Sequence, residues 1–150
     1  MFAVTPEMDE TGVVKSMAIG QVMTTNPVSV ERSQPLSEVY HLLRGSSFHH
    51  LPVVEGNHPV GVISSTDILK LVYDIEESSD RMLTQMLDYQ FTIDDAMTTD
   101  LVTLPDTATV HDAADRLADG KFHSVLVIDL VGTLVGIVTT TDLVRFLRDL

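Results

Sequence analysis

Apolar and polar positions in this chain follow a cycle of strand, helix, hairpin and helix. In Val28-Ser29-Val30 apolar and hydroxyl side chains alternate, the period of a short strand. Leu36, Val39, Tyr40 and Leu43 fall at i, i+3, i+4 and i+7, one face of an amphipathic helix. Ser33 or Ser37 is its expected cap, and Gly45-Ser46-Ser47 its end. Leu51-Pro52-Val53-Val54 predicts a strand, Glu55-Gly56-Asn57-His58 a hairpin turn, and Val60 to Ser64 the return strand. The stretch from Gly61 to Leu69 is then a buried strand that stops at hydroxyls and turns into a helix near Asp67, presenting Ile68, Leu69, Leu71 and Val72. Upstream, Ser16 predicts the cap of a short helix through Met17, Ile19, Val22 and Met23. Asn26-Pro27 ends it, because a residue before proline is pushed out of the helical region.

The whole cycle occurs twice. Met23 corresponds to Met97 and Val28-Ser29-Val30 to Val102-Thr103-Leu104. Leu36, Val39, Tyr40 and Leu43 become Val110, Ala113, Ala114 and Leu117, and Phe48-His49 becomes Phe122-His123. One residue is inserted in the second hairpin, around Asp129 to Gly132, where a turn tolerates it. Beyond it, Gly61 to Leu69 returns as Gly136 to Val144. Each repeat reads β-α-β-β-α. About 50 residues bury too little surface alone, so the two repeats are expected to pack together about a pseudo-twofold axis. The expected fold is α/β of the α+β type. Residues 1–16 read as a tail, 17–75 and 92–150 as the repeats, and 76–91 as a linking helix. That link carries Met82, Leu83, Met86 and Leu87, which either lie over the protein or form an adaptable docking face.

The chemistry concentrates where strand becomes helix. Ser64-Ser65-Thr66-Asp67 and Thr139-Thr140-Thr141-Asp142 each place hydroxyls and a carboxylate at a helix start, where backbone N–H groups lack partners and the dipole is positive. Such an end is either capped by its own side chains or holds an anion.

Composition narrows the function. No cysteine among 150 residues removes disulfides, thiolate nucleophiles and cysteine zinc sites. A net charge of −13 argues against nucleic acid and anionic membrane surfaces, which need Lys and Arg. No apolar run approaches the length of a membrane helix, and the first ten residues lack the pattern of a secretory signal, so a cytoplasmic protein is expected. The common catalytic motifs are absent, and no enzymatic activity is expected. His49, His50 and His58 make a poor metal site, since neighbours on a strand point to opposite faces; none is assigned.

The repeated pattern resembles a tandem cystathionine-β-synthase (CBS) domain pair, a Bateman module. The resemblance rests on Val22-Met23-Thr24 with Ala96-Met97-Thr98, and on Phe48-His49-His50-Leu51-Pro52-Val53-Val54 with Phe122 to Ile128. Two Gly…Ser/Thr-x-x-Asp stretches in register complete it. One departure is Leu126, where the family usually has proline, as at Pro52. The resemblance implies a regulatory protein, often a homodimer, that binds AMP, ADP, ATP or S-adenosylmethionine in clefts between repeats. It implies Asp67 and Asp142 on the ribose hydroxyls, with Ser64 and Thr139 as hydroxyl partners. It places adenine near Val39, His49 and His50 in one repeat and Ala113, His123 and Ser124 in the other. Thr66 and Thr141 stand where a basic residue would have strengthened a phosphate contact, so a monophosphate, a neutral adenosine or a sulfonium ligand is as plausible as ATP. ATP would bring Mg²⁺ to offset its charge. No effector domain is recognisable in these residues, so the output is expected through an unknown partner protein or the dimer itself. The alternative is a ligand-free interaction or dimerisation scaffold.

Overall fold

The computed structural model describes residues 16–73 and 79–150. The expected tail, apart from Ser16, and the start of the link at 76–78 lie outside them. The strands are β1 (Thr24–Thr25), β2 (Val30–Glu31), β3 (His50–Glu55), β4 (His58–Ser64), β5 (Thr103–Pro105), β6 (Ser124–Ile128) and β7 (Leu134–Thr139). The helices are α1 (Leu36–Arg44), α2 (Ser65–Val72), α3 (Asp80–Gln90), α4 (Ile93–Ala96), α5 (Val110–Leu117) and α6 (Thr140–Arg148). The α+β class and the two β-α-β-β-α runs are as the hydrophobic pattern predicts. The expected helix from Ser16 is reduced to a 3₁₀ turn, Ile19–Gln21. Here tertiary bonds override local preference: Ile19 N–H donates to the Ala108 carbonyl and Val110 N–H to that of Met17, both across the chain.

The chain divides into two compact units, and these are not coextensive with the sequence repeats. One is Val28–Leu101; the other joins the residues up to Pro27 to Val102–Leu150. The first holds a sheet in the order β2-β3-β4, the second a sheet in the order β1-β7-β6-β5. In both, a parallel pair (β2 with β3, β5 with β6) is followed by an antiparallel hairpin (β3 with β4, β6 with β7). The free edge of each hairpin is then covered by the opening segment of the other repeat. Thr24 and Thr25 pair with Ile137 and Gly136. Thr98 exchanges two backbone hydrogen bonds with Val62 (2.9 and 3.0 Å).

Each unit has its own core. Val30, Leu36, Val39, Leu51, Val53, Ile63, Leu87 and Ile93 fill the first. Ile19, Leu104, Ala113, Leu117, Val125, Val127 and Val138 fill the second. The alternation of β3 and β6 and the i, i+3 spacing of α1 and α5 aim these side chains inward. The departure at Leu126 has a visible effect. Its N–H donates to the Val102 carbonyl (2.9 Å), a bond that Pro52 cannot make, and β5 is one residue longer than β2.

The glycines that open the two strand-to-helix stretches have a steric purpose. A Cβ built on Gly136 would lie 2.4 Å from Met23 Sδ, and one on Gly61 would lie 2.5 Å from Met97 Sδ. Only a residue without a side chain lets the methionine lie on the strand. Gly136→Ala is therefore expected to destabilise the protein by about 1–3 kcal/mol. Trimming Met23 to Ala in the same chain should recover part of that loss. Denaturant melts of the single and double variants check this, and additive losses would refute the contact.

Candidate functional site

Both strand-to-helix junctions are built alike. At the first, Ser64 is the N-cap of α2 and Asp67 its third residue. Asp67 N–H donates to Ser64 Oγ (3.1 Å), and Ser64 N–H donates to Asp67 Oδ2 (2.8 Å). At the second, Asp142 N–H donates to Thr139 Oγ1 (3.2 Å) and Thr139 N–H to Asp142 Oδ2 (2.8 Å). Each is a reciprocal capping box, which satisfies two orphan donors of the helix start. Each uses Oδ2 of the aspartate and leaves Oδ1 outside the box. Asp142 is largely enclosed, its side chain 13% exposed, and its Oδ1 lies 3.9 Å from Arg145 Nη1 one turn along the helix.

Around the first junction the structure gathers several of the residues singled out in the sequence. His50 pairs across the hairpin with Ser64. The carbonyl of His49 accepts from Ser65 N–H (3.0 Å), and its ring Nδ1 lies 3.5 Å from Ser65 Oγ. The second junction repeats the frame, with Ser124 opposite Thr139 in the β6–β7 ladder. His123 directly precedes Ser124 and is exposed. Val39 and Ala113 are placed differently. Both are 0% exposed and packed in the cores of their own units, because helix periodicity puts them on the inner faces of α1 and α5.

The capping box is not confined to these junctions. Thr109 and Asp112 form a third complete one at the start of α5 (2.9 and 3.1 Å), and Asp95 accepts from Thr92 N–H (2.8 Å). Serine or threonine three residues before aspartate marks a helix start at four places here, though not at Thr103–Asp106, where a strand runs into a turn. What sets the candidate junctions apart is their place at the end of a central hairpin strand, beside His49–His50 or His123–Ser124. A groove of about 610 Å³ opens elsewhere in the Val28–Leu101 unit, between Arg32, Gln34, Leu36, Asp88, Phe91 and Thr92; none of the candidate residues lines it. Among the described residues no group of three or more His, Cys, Asp or Glu could hold a metal ion, and no helix is long and apolar enough to cross a membrane.

The CBS domain family matches residues 19–74 and 93–149. The chain belongs to this family, as a tandem pair of CBS domains. It is similar to a homoserine O-acetyltransferase of Methanocorpusculum labreanum, 27% identical over 85% of this chain and 23% of that protein. The chain spans less than half the length of this and the next two curated relatives. Among solved structures it resembles CBSX2 of Arabidopsis thaliana in complex with AMP, at 28% identity and a TM-score of 0.71, covering 89% of this chain and 97% of that one. It also resembles the CBS pair of protein MJ0100 in complex with 5'-methylthioadenosine and S-adenosyl-L-methionine, at 23% identity and a TM-score of 0.71, over 87% and 99% of the two chains.

The third box provides an internal control for the energetics of the other two. Asp112→Ala, Asp67→Ala and Asp142→Ala should each lower stability by a similar small amount, since each removes the same half of a capping box, as read by thermal or urea melts. The Asp112 carboxyl is held below its ordinary range, chiefly by the Thr109 N–H and then by the Thr109 hydroxyl. A depressed folded pKa means its contribution is present above the usual carboxylate pKa and is lost as pH falls through the lowered value. The penalty of Asp112→Ala should therefore shrink in melts at acid pH; a penalty constant with pH would refute this.

Proposed function

We propose that the chain is a regulatory, non-catalytic module. It binds an adenosine-type ligand (AMP, ADP, ATP or S-adenosylmethionine) at Ser64–Asp67 and Thr139–Asp142 and reports its level to a separate effector protein. The observation that carries this reading is the duplicated junction. In both units an aspartate is fixed by a capping box through one carboxylate oxygen, with the other left outside the box. A carboxylate held in this way is orientated before any ligand arrives. Its remaining oxygen can accept from the two neighbouring hydroxyls of a ribose, and hydrogen bonds to an ionised acceptor are strong. The reading is supported by CBS family membership and by the 28% identical CBSX2 in complex with AMP.

A ligand shifts a conformational balance only through different affinity for the two states. Here the leverage lies in α2 and α6, whose first turns carry the aspartates. ATP would bring Mg²⁺ with its phosphates. A cytoplasmic setting and a homodimer belong to the same proposal. The exposed apolar side chains of Val144, Leu147 and Leu150 are candidates for the dimer surface.

The scaffold reading is favoured by a different observation: the boxes already satisfy the helix starts without a ligand, as Thr109–Asp112 does at α5. Thermal-shift titration against AMP, ADP, ATP with Mg²⁺, S-adenosylmethionine and NAD separates the two. A ligand at 100 times its dissociation constant adds about 2.7 kcal/mol. A saturable rise with one of these should disappear in Asp67→Ala or Asp142→Ala and persist in Asp112→Ala, which loses a cap but no candidate site. A flat response across millimolar ligand would sink the sensor reading for these compounds.

A further inference from the structure

Helix α1 begins without a cap of its own. Its N-cap is Pro35, which has no side-chain acceptor, and neither Ser33 nor Ser37 caps it as the sequence pattern predicts. At the matching place in the second repeat, α5 has Thr109 and a full capping box. In the first repeat the carboxylate comes from α3, 51 residues away. Asp88 Oδ1 accepts from Ser37 N–H (2.8 Å) and Asp88 Oδ2 from the Ser37 hydroxyl (2.6 Å). Ser37 is 6% exposed, the one buried polar side chain among the described residues.

We propose that α3 is a releasable strap on the Val28–Leu101 unit, and that Asp88 is the catch that sets its opening. The hold on this helix is uneven along its length. At its C-terminal end Leu87 is wholly buried in the core, directly beside the exposed Asp88, whereas Leu83, one turn earlier, is only half-buried against the same core. At its N-terminal end, Asp80 meets Arg44 and lies 3.7 Å from His41 Nε2, and Thr84 Oγ1 lies 3.4 Å from the same nitrogen. All these side chains but that of Thr84 are exposed, and exposed pairs hold weakly. With 11 residues, α3 is shorter than a helix that persists alone in water, so it unfolds when it detaches. The strap therefore frays from Asp80 through the half-buried Leu83 and leaves the unit only when Leu87 and Asp88 let go together.

Arg32, whose guanidinium shares the groove with Asp88, is held by other partners. It is engaged by Asp94 through two bonds (2.8 and 3.1 Å) and by Glu55 (3.1 Å). Release of the catch would open the groove onto the first turn of α1. It would also loosen the chain that runs on through α4 to Met97 and Thr98, the segment that covers Gly61 and the edge of β4. Moving the cap of α1 from its own repeat to the link thus ties the start of α1 to the chain leading into the second repeat.

Native-state hydrogen exchange tests this on the intact chain. In Asp88→Ala, which loses both bonds to Ser37, the amides of α3 and of the first turn of α1 should exchange about tenfold faster or more. Those of α5 and α6 should be unchanged. Asp88→Asn keeps an acceptor and should show a smaller effect at the same amides, as should Ser37→Ala, which loses only the hydroxyl half. Unchanged exchange in α3 would overturn the proposal. So would an equal rise in every helix, which would make Asp88 a general support rather than a catch. If Asp88→Ala does not fold, Ser37→Ala decides by the same criteria.

Discussion

A methionine lying on a glycine closes each sheet of this protein. An uncovered hairpin edge would present unpaired backbone groups and invite pairing with other chains. Neither hairpin here covers its edge with residues from its own repeat. The β7 edge takes Thr24 and Thr25, and the β4 edge takes Thr98. The close fit needs Gly136 under Met23 and Gly61 under Met97. Those glycines also lie in the strands that end at the candidate junctions, three residues before Ser64 and Thr139. The contact that binds the two halves of the sequence to each other's sheets is thus a few residues from the aspartates of the proposed site.

The aspartates show how one local motif serves two ends. Helix capping and ligand binding use the same atoms up to a point: the box takes Oδ2, and the proposed function takes Oδ1. This makes capping a precondition of binding rather than its rival, because an aspartate tied to its own helix start loses little freedom when a ligand arrives. Asp112 has the same box with no hairpin strand leading into it. The distinction between a cap and a site then rests on surroundings, on His49 and His50 beside one junction and Ser124 beside the other.

Much of this was legible in the sequence, and the limits follow from range. Helix α1, the first hairpin and both strand-to-helix junctions are written in local periodicity and turn residues, so they could be read directly. The Ser64–Asp67 and Thr139–Asp142 pairs were visible for the same reason. The exchange of edge segments was not, since an apolar Met23 does not say which glycine it meets. The cap of α1 was misplaced because its carboxylate lies far along the chain, while two serines stood nearby. The short helix from Ser16 gave way to a 3₁₀ turn once bonds to Ala108 and Val110 were available. Val39 and Ala113 were marked as core by their spacing, and both are buried there.

The exchange of edges also fixes an order of assembly. The Val28–Leu101 unit is continuous in sequence and has all its strands once Thr98 has been made. The other unit needs both Thr24 and Gly136, so its sheet stays open until Gly136 and Ile137 have been made. During synthesis the opening segment, with Ile19 and Met23, must wait through the growth of an entire neighbouring unit before its partner appears. Closing so long a loop is slow, and an apolar segment kept waiting is exposed to wrong partners. Ile19 and Met23 are therefore made before the Val28–Leu101 unit and find their place only after it.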